Sequence, residues 1–206
     1  MPRSTYEAGV FINCPFDSDY VDIFRAIVFA VQDCRFVARC ALEATDSSET
    51  RIGRIIQIIS ECRWGVHDIS RTELDGTHGL PRFNMPLELG LFLGAKSYGS
   101  AEQREKRCLV LDREIYRYQK FCSDISGQDI RAHSNRPETA IRHVRDWLRD
   151  VDRGTRLPGG TTIHRRFLAF NEDLPVFCST FHLNAEELTF NDLTTLVDEW
   201  LKVNTL

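Results

Sequence analysis

The sequence predicts an α/β chain: a doubly wound, mostly parallel sheet with a helical addition towards the C-terminal end. Short apolar runs alternate with amphipathic helical stretches through the first 112 residues. Residues 64–96 join an apolar run to an apolar helix through a polar loop marked by Gly and Pro. No run approaches the roughly 18 consecutive apolar residues that span a bilayer, so a membrane partner is not expected.

Residues 9–13 (GVFIN) read as the first strand, stopped by Pro15. A helix over residues 20–33 follows, with Phe24, Ile27, Val28 and Val31 along one face and Ala26 and Ala30 allowing close approach to a sheet. Residues 36–41 (FVARCA) make a second strand, and residues 49–62 the clearest amphipathic helix, with Ile52, Ile55, Ile56 and Ile59 at i, i+3, i+4 and i+7. A third strand over 64–67 ends at Asp68. After the loop, Asn84 is expected to N-cap a largely buried helix, with Pro86 and Glu88 in its first turn. Residues 107–111 (RCLVL) form a fourth strand, capped by Asp112.

Right-handed crossovers then give the flavodoxin-like strand order 2-1-3-4-(5). In that order residues 13–17 lie beside residues 68–75 at the switch point, where open α/β sheets hold ligands. Residues 113–134 are aromatic and charged but weakly periodic, and read as a lid or a partner surface. Helices are expected over 136–151, 161–181 and 190–203, the last capped by Thr189 with Asp192. The chain divides into an α/β core, 1–112, and a helical extension, 113–206, that completes the core or presents a partner surface.

A net charge of -4 lacks the basic excess that nucleic acid demands, so direct nucleic-acid binding is not expected. The opening residues lack a signal-peptide core, which predicts a cytoplasmic protein. Seven dispersed cysteines without a CxxC pair read as free thiols, and six histidines without ligand spacing give no metal site. Cys14 sits in a site loop but lacks a Cys-His signature for nucleophilic work. Residues 157–161 (LPGGT) suggest a phosphate-cradling loop, yet without the preceding strand and lysine they read as a turn. The basic residues of the 136–151 helix are interleaved with acids, as on a solvated face.

The switch-point crevice collects Asn13, Asp17, Asp68, Asp75, His78 and Glu88, with Arg71 and Arg82 available to a phosphate. A first-turn carboxylate is stabilised as an anion by the helix dipole, by roughly 0.3 to 1 kcal/mol, so Glu88 is expected to be ionised at neutral pH. An anion there suits the stabilisation or capture of an oxocarbenium-like C1', as in cleavage of a ribose-base bond. A neutral leaving base also needs an acid, for which Asp68, Asp75 or His78 are candidates, whereas the cationic nicotinamide of NAD needs none. The ordinary alternatives are a helix-stabilising acid at Glu88, turn formers at Asp68, Ser70 and Asp75-Gly76, and solvated arginines.

These residues carry a resemblance. FINCPFD at residues 11–17 resembles the "A-G-P-F" turn after the first strand of nucleoside 2-deoxyribosyltransferases. Asp68, Asp75-Gly76-Thr77, Glu88-Leu89-Gly90 and Gly94-Ala95 are similar to that family's "D…DG…D-G-T-x-x-E-L-G-x-A" segment, although here an insertion through Asn84 separates D-G-T from E-L-G. The same layout, with one glutamate on the helix after the third or fourth strand, characterises Toll/interleukin-receptor-like NAD hydrolases. The resemblance covers roughly the first 111 residues. It implies Glu88 as the catalytic glutamate, Asp68 or Asp75 as the assisting aspartate, and residues 13–16 as the ribose- or base-facing turn. The substrate-binding set expected is Asn13, Pro15, Phe16, Asp17, Ser70, Arg71, Arg82 and Asn84. The expected activity is N-glycosidic cleavage of a nucleotide, NAD first, taken as substrate with no cofactor. A homo-oligomer, a regulatory protein partner and an immune or toxin role go with it. The rivals are a salvage deoxyribosyltransferase or hydrolase, and a sensor or scaffold that binds a nucleotide without turning it over.

Overall fold

A computed structural model describes residues 3–43, 46–72, 74 and 79–205. Strands β1 (Gly9–Asn13), β2 (Val37–Arg39), β3 (Trp64–Asp68), β4 (Arg107–Asp112) and β5 (Ile130–Ala132) form one parallel sheet in the order β2-β1-β3-β4-β5. The helices are α1 (Thr5–Ala8), α2 (Val21–Asp33), α3 (Arg51–Glu61), α4 (Asn84–Tyr98), α5 (Ala101–Arg104), α6 (Pro137–Val151), α7 (Gly160–Thr180) and α8 (Phe190–Val203). This is the doubly wound arrangement with C-terminal helices that the alternation of elements predicts.

β1 and β3 are buried along their whole length because helices cover both faces of a parallel sheet, which is why they read as unbroken apolar runs. Side-chain alternation sends Val10, Ile12, Trp64, Val66, Leu109 and Leu111 into the core shared with α2 and α6. Phe11 and Val110 go to the opposite side, into the clusters beneath α3 and α4. On the first side α7 and α8 add an outer layer, so α2 is buried from Ile23 to Asp33 except at Arg25. Phe29 of α2 meets the rings of Phe167, Phe170 and Trp200 at 5.7, 5.5 and 5.8 Å.

Among the described residues no comparable outer layer covers α4, and this corrects the expectation of a largely buried helix. Met85, Glu88, Leu89 and Phe92 are buried, but Leu87 is exposed. The stretch without readable periodicity holds two short 3-10 turns, Arg117–Lys120 and Ser123–Ile125, before β5. Tyr118 and Ile125 from those turns pack on Ile69, Met85 and Leu89. Tyr118 is therefore core, and of the aromatic residues suggested as a partner surface Tyr116 is the one that stands exposed.

Lys106 is fully buried and donates to the Ile59 carbonyl at 2.6 Å and to the Cys62 carbonyl, satisfying the last turn of α3. All seven cysteines are free thiols. Among the described residues no helix is long and apolar enough to cross a membrane, and no group of His, Cys, Asp or Glu is placed to hold a metal ion.

Candidate active-site crevice

The β1 loop, the segment after β3 and the start of α4 converge at the C-terminal ends of β1 and β3. Between them lies a crevice of about 280 Å³ lined by Cys14, Pro15, Phe16, Asp17, Leu42, Arg51, Arg71, Arg82, Asn84, Met85 and Glu88. A narrower slot of about 190 Å³ between α3 and α4 shares Arg51, Asn84 and Glu88 and adds Ile52, Ile55 and Leu87. Seven of the residues expected in the site, Pro15, Phe16, Asp17, Arg71, Arg82, Asn84 and Glu88, are brought together here.

Glu88 is positioned by buried neighbours. Asn13 lies beneath the crevice, and its Nδ2 donates to the Met85 carbonyl at 2.8 Å and to His67 Nδ1 at 3.1 Å. The amide thereby fixes the opening turn of α4 against β1. His67, fully buried against Phe92, is held neutral by burial, its pKa pulled down from 6.5 to about 3.

Two expectations about α4 are corrected. Phe83, not Asn84, occupies the N-cap position; α4 begins at Asn84 without a side-chain cap, and Asn84 lines the crevice instead. The first turn consequently holds no acid, and Glu88 falls in the second, where the terminal dipole is weaker. Its side chain makes no hydrogen bond among the described residues. Burial dominates and raises its pKa from 4.5 to about 7, with Arg51 opposing the rise. The expected fully ionised carboxylate is thus a titrating one.

Arg71 clasps Asp17 with Nε to Oδ2 at 3.1 Å and Nη2 to Oδ1 at 2.6 Å, and reaches Asp19 at 2.8 Å. This pairing holds the Asp17 carboxyl below its usual range, with Arg82 adding to the effect. Asp17 is therefore an anchoring anion rather than a proton donor. Cys14 is kept a thiol by burial, which pushes it well above its usual pKa.

Asp68 does not reach the crevice. It follows Trp64 and Val66 in strand parity and so points to the α2 side of the sheet, opposite His67 and Asn13. It is fully buried, accepts from the Ser70 backbone N–H at 2.8 Å and lies 2.8 Å from His133 Nε2. The His133 Nδ1 accepts from the Asn135 N–H at 3.0 Å, and its Nε2 lies at hydrogen-bond distance, 3.0 Å, from Ser70 Oγ. Ser70 is likewise buried, beside His133, and does not line the crevice. Asp75 and His78 lie outside the described residues.

Sequence reading missed Arg51 and Leu42. Their only signal is position, Arg51 opening α3 and Leu42 following β2, at the edge where ligands collect. It also missed Arg117, which bonds Asp112 at 2.8 Å, Thr72 Oγ1 at 2.8 Å and the Ile69 carbonyl at 2.8 Å, bracing the segment that carries Arg71. The chain has no match among models of known families, curated proteins or solved structures.

Proposed function

We propose that the crevice belongs to an N-glycosidase that cleaves the ribose-base bond of a nucleotide, with NAD the first substrate to test. The observation that carries the reading is a carboxyl without a hydrogen-bond partner among the described residues, Glu88, buried at the switch point beside Arg51, Arg71 and Arg82. A desolvated carboxylate attracts a cation more strongly than a hydrated one does. Substrate ribose over Glu88 would present a developing positive C1' to that oxygen, and the arginines would meet the phosphates. The electron pair of the C1'-N bond leaves with nicotinamide, which departs neutral, and water adds to C1' with loss of a proton.

Among the described residues Glu88 is the one carboxyl available to the reaction, which suits a leaving group that needs no acid. Asp17 is committed to Arg71 and Asp68 lies on the other side of the sheet, so among the described residues no second carboxyl faces the reaction as acid. The Glu88 pKa near 7 favours a second reading: protonated, Glu88 could itself donate to a neutral base, as a salvage hydrolase or deoxyribosyltransferase needs. The resemblance at Glu88-Leu89-Gly90 supports either enzyme. A homo-oligomer, a regulatory partner and an immune or toxin role accompany the first reading on the strength of that resemblance alone.

The test is chromatography of nucleotides after incubation with the wild type and Glu88→Gln, in cells and with purified protein. Nicotinamide release by the wild type alone is the expected result. Equal turnover by both proteins removes Glu88 from the mechanism, and no turnover of any nucleotide leaves a binding module.

A further inference from the structure

A second pocket, of about 560 Å³, lies at the far end of α2, lined by residues of α2, α7, α8 and the 156–158 loop. It is separated from the Glu88 crevice by the length of α2, whose 13 residues span about 20 Å. Its size is that of a small-molecule site. Arg166 is committed to Asp33 at 3.0 Å and to the Asn204 carbonyl at 2.6 Å, and Lys202 to Glu199 at 2.6 Å. Arg35 and Arg156 also line the pocket, and among the described residues neither guanidinium has a hydrogen bond or ion pair.

Arg35 is held in the left-handed conformation, with φ of 63°. It sits one residue past the C-cap of α2, where its N–H bonds the Gln32 carbonyl at 2.8 Å and the Phe36 N–H bonds the Val31 carbonyl at 3.1 Å. Glycine is the usual occupant of that position, so an arginine there carries a backbone cost that its side chain must justify.

The opposite wall of the pocket supplies acceptors. Gln32 is 8% exposed, and its Nε2 donates to the Thr194 carbonyl at 2.9 Å and to Asp198, which fixes the amide orientation. Its buried Oε1 is left without a partner among the described residues. The pocket thus offers two guanidinium forks, suited to a group with three anionic oxygens, and the Asp198 carboxyl, suited to a hydroxyl.

We propose that this pocket binds a sugar phosphate, its phosphate on Arg35 and Arg156 and a hydroxyl on Asp198. The proposal does not depend on what Glu88 does.

Calorimetric titration with ribose 5-phosphate, ribose and inorganic phosphate tests it, on the wild type and on Arg35→Gly, Arg156→Gln and Arg82→Gln. Glycine suits the left-handed backbone at residue 35, so Arg35→Gly removes the cation without disturbing the turn, and Arg156→Gln is an independent loop variant. The expected result is that ribose 5-phosphate binds more tightly than phosphate or ribose alone. Both pocket variants should then lose about tenfold or more in affinity, while Arg82→Gln binds as the wild type does. Four outcomes overturn the proposal: no wild-type binding at about 10 mM ligand, equal affinity for inorganic phosphate and ribose 5-phosphate, unchanged affinity in both pocket variants, or a loss confined to Arg82→Gln, which would put the ligand in the crevice.

Discussion

Asn13 and Met85, 72 positions apart in sequence, meet through one buried hydrogen bond of 2.8 Å from the Asn13 amide to the Met85 carbonyl. That bond couples the end of β1 to the opening turn of α4, and so the sheet to the carboxyl that the crevice is built around. Asn13→Leu keeps the volume but leaves His67 Nδ1 and the Met85 carbonyl without this donor. The expected loss is about 1–3 kcal/mol of unfolding free energy, read from urea titration at constant m-value. A variant as stable as the wild type would show that α4 is positioned by packing alone.

Glu88 makes the protein less stable as it ionises. Its folded pKa of about 7 exceeds the ordinary 4.5, so the folded state binds the proton more tightly than the unfolded chain. The contribution is present in full below about pH 4.5 and is lost as pH rises through about 7. Glu88→Gln cannot ionise. Thermal unfolding should therefore show the variant gaining on the wild type between pH 5 and pH 8, by about 1–3 kcal/mol. A gap independent of pH would place Glu88 in a more hydrated setting.

The direction of the pH-rate profile separates the two glycosidase readings. If ionised Glu88 faces a cationic leaving group, kcat/KM for NAD rises with pH through about 7. If protonated Glu88 serves a neutral base, kcat/KM for a nucleoside falls through the same region. Steady-state rates from pH 5.5 to 8.5 with both substrate types decide between them.

Asp68→Asn should harm the fold more than the chemistry. The substitution places an amide against His133 Nε2, 2.8 Å away at a position with no exposure, and should cost about 1–3 kcal/mol. At a temperature where the variant is fully folded, kcat/KM should remain close to wild type while Glu88→Gln is inactive. A comparable loss in both would return Asp68 to the reaction.

The sheet order was legible because each strand and helix of the first four units carries its own signal: the apolar run 9–13, the isoleucine stripe of α3, the run 64–67 and the run 107–111. β5 was not, since Ile130–Ala132 lies in a polar, charged stretch with no apolar run, and neither was the core role of Tyr118, which depends on what packs over α4. At the site, the loop residues and Glu88 were found from their place at the strand ends. The ionisation of Glu88 was misread because a one-residue shift in the helix start moves it from the first turn to the second, out of the strongest dipole field, and leaves burial to decide. The exclusion of Asp68 was readable in principle from strand parity, but only once Trp64 and Val66 are known to face α2.

The burial of α2 on both sides has a consequence for synthesis. Its inner face can settle on β1 early, but the rings that cover its outer face, Phe167, Phe170 and Trp200, lie more than 130 positions later in the chain. At translation rates of about 5–20 residues per second, Phe29 waits on the order of 10–30 s for its partners to leave the ribosome. Throughout that interval the outer face of α2 lacks its final cover and is an aggregation-prone surface of the kind that chaperones shield.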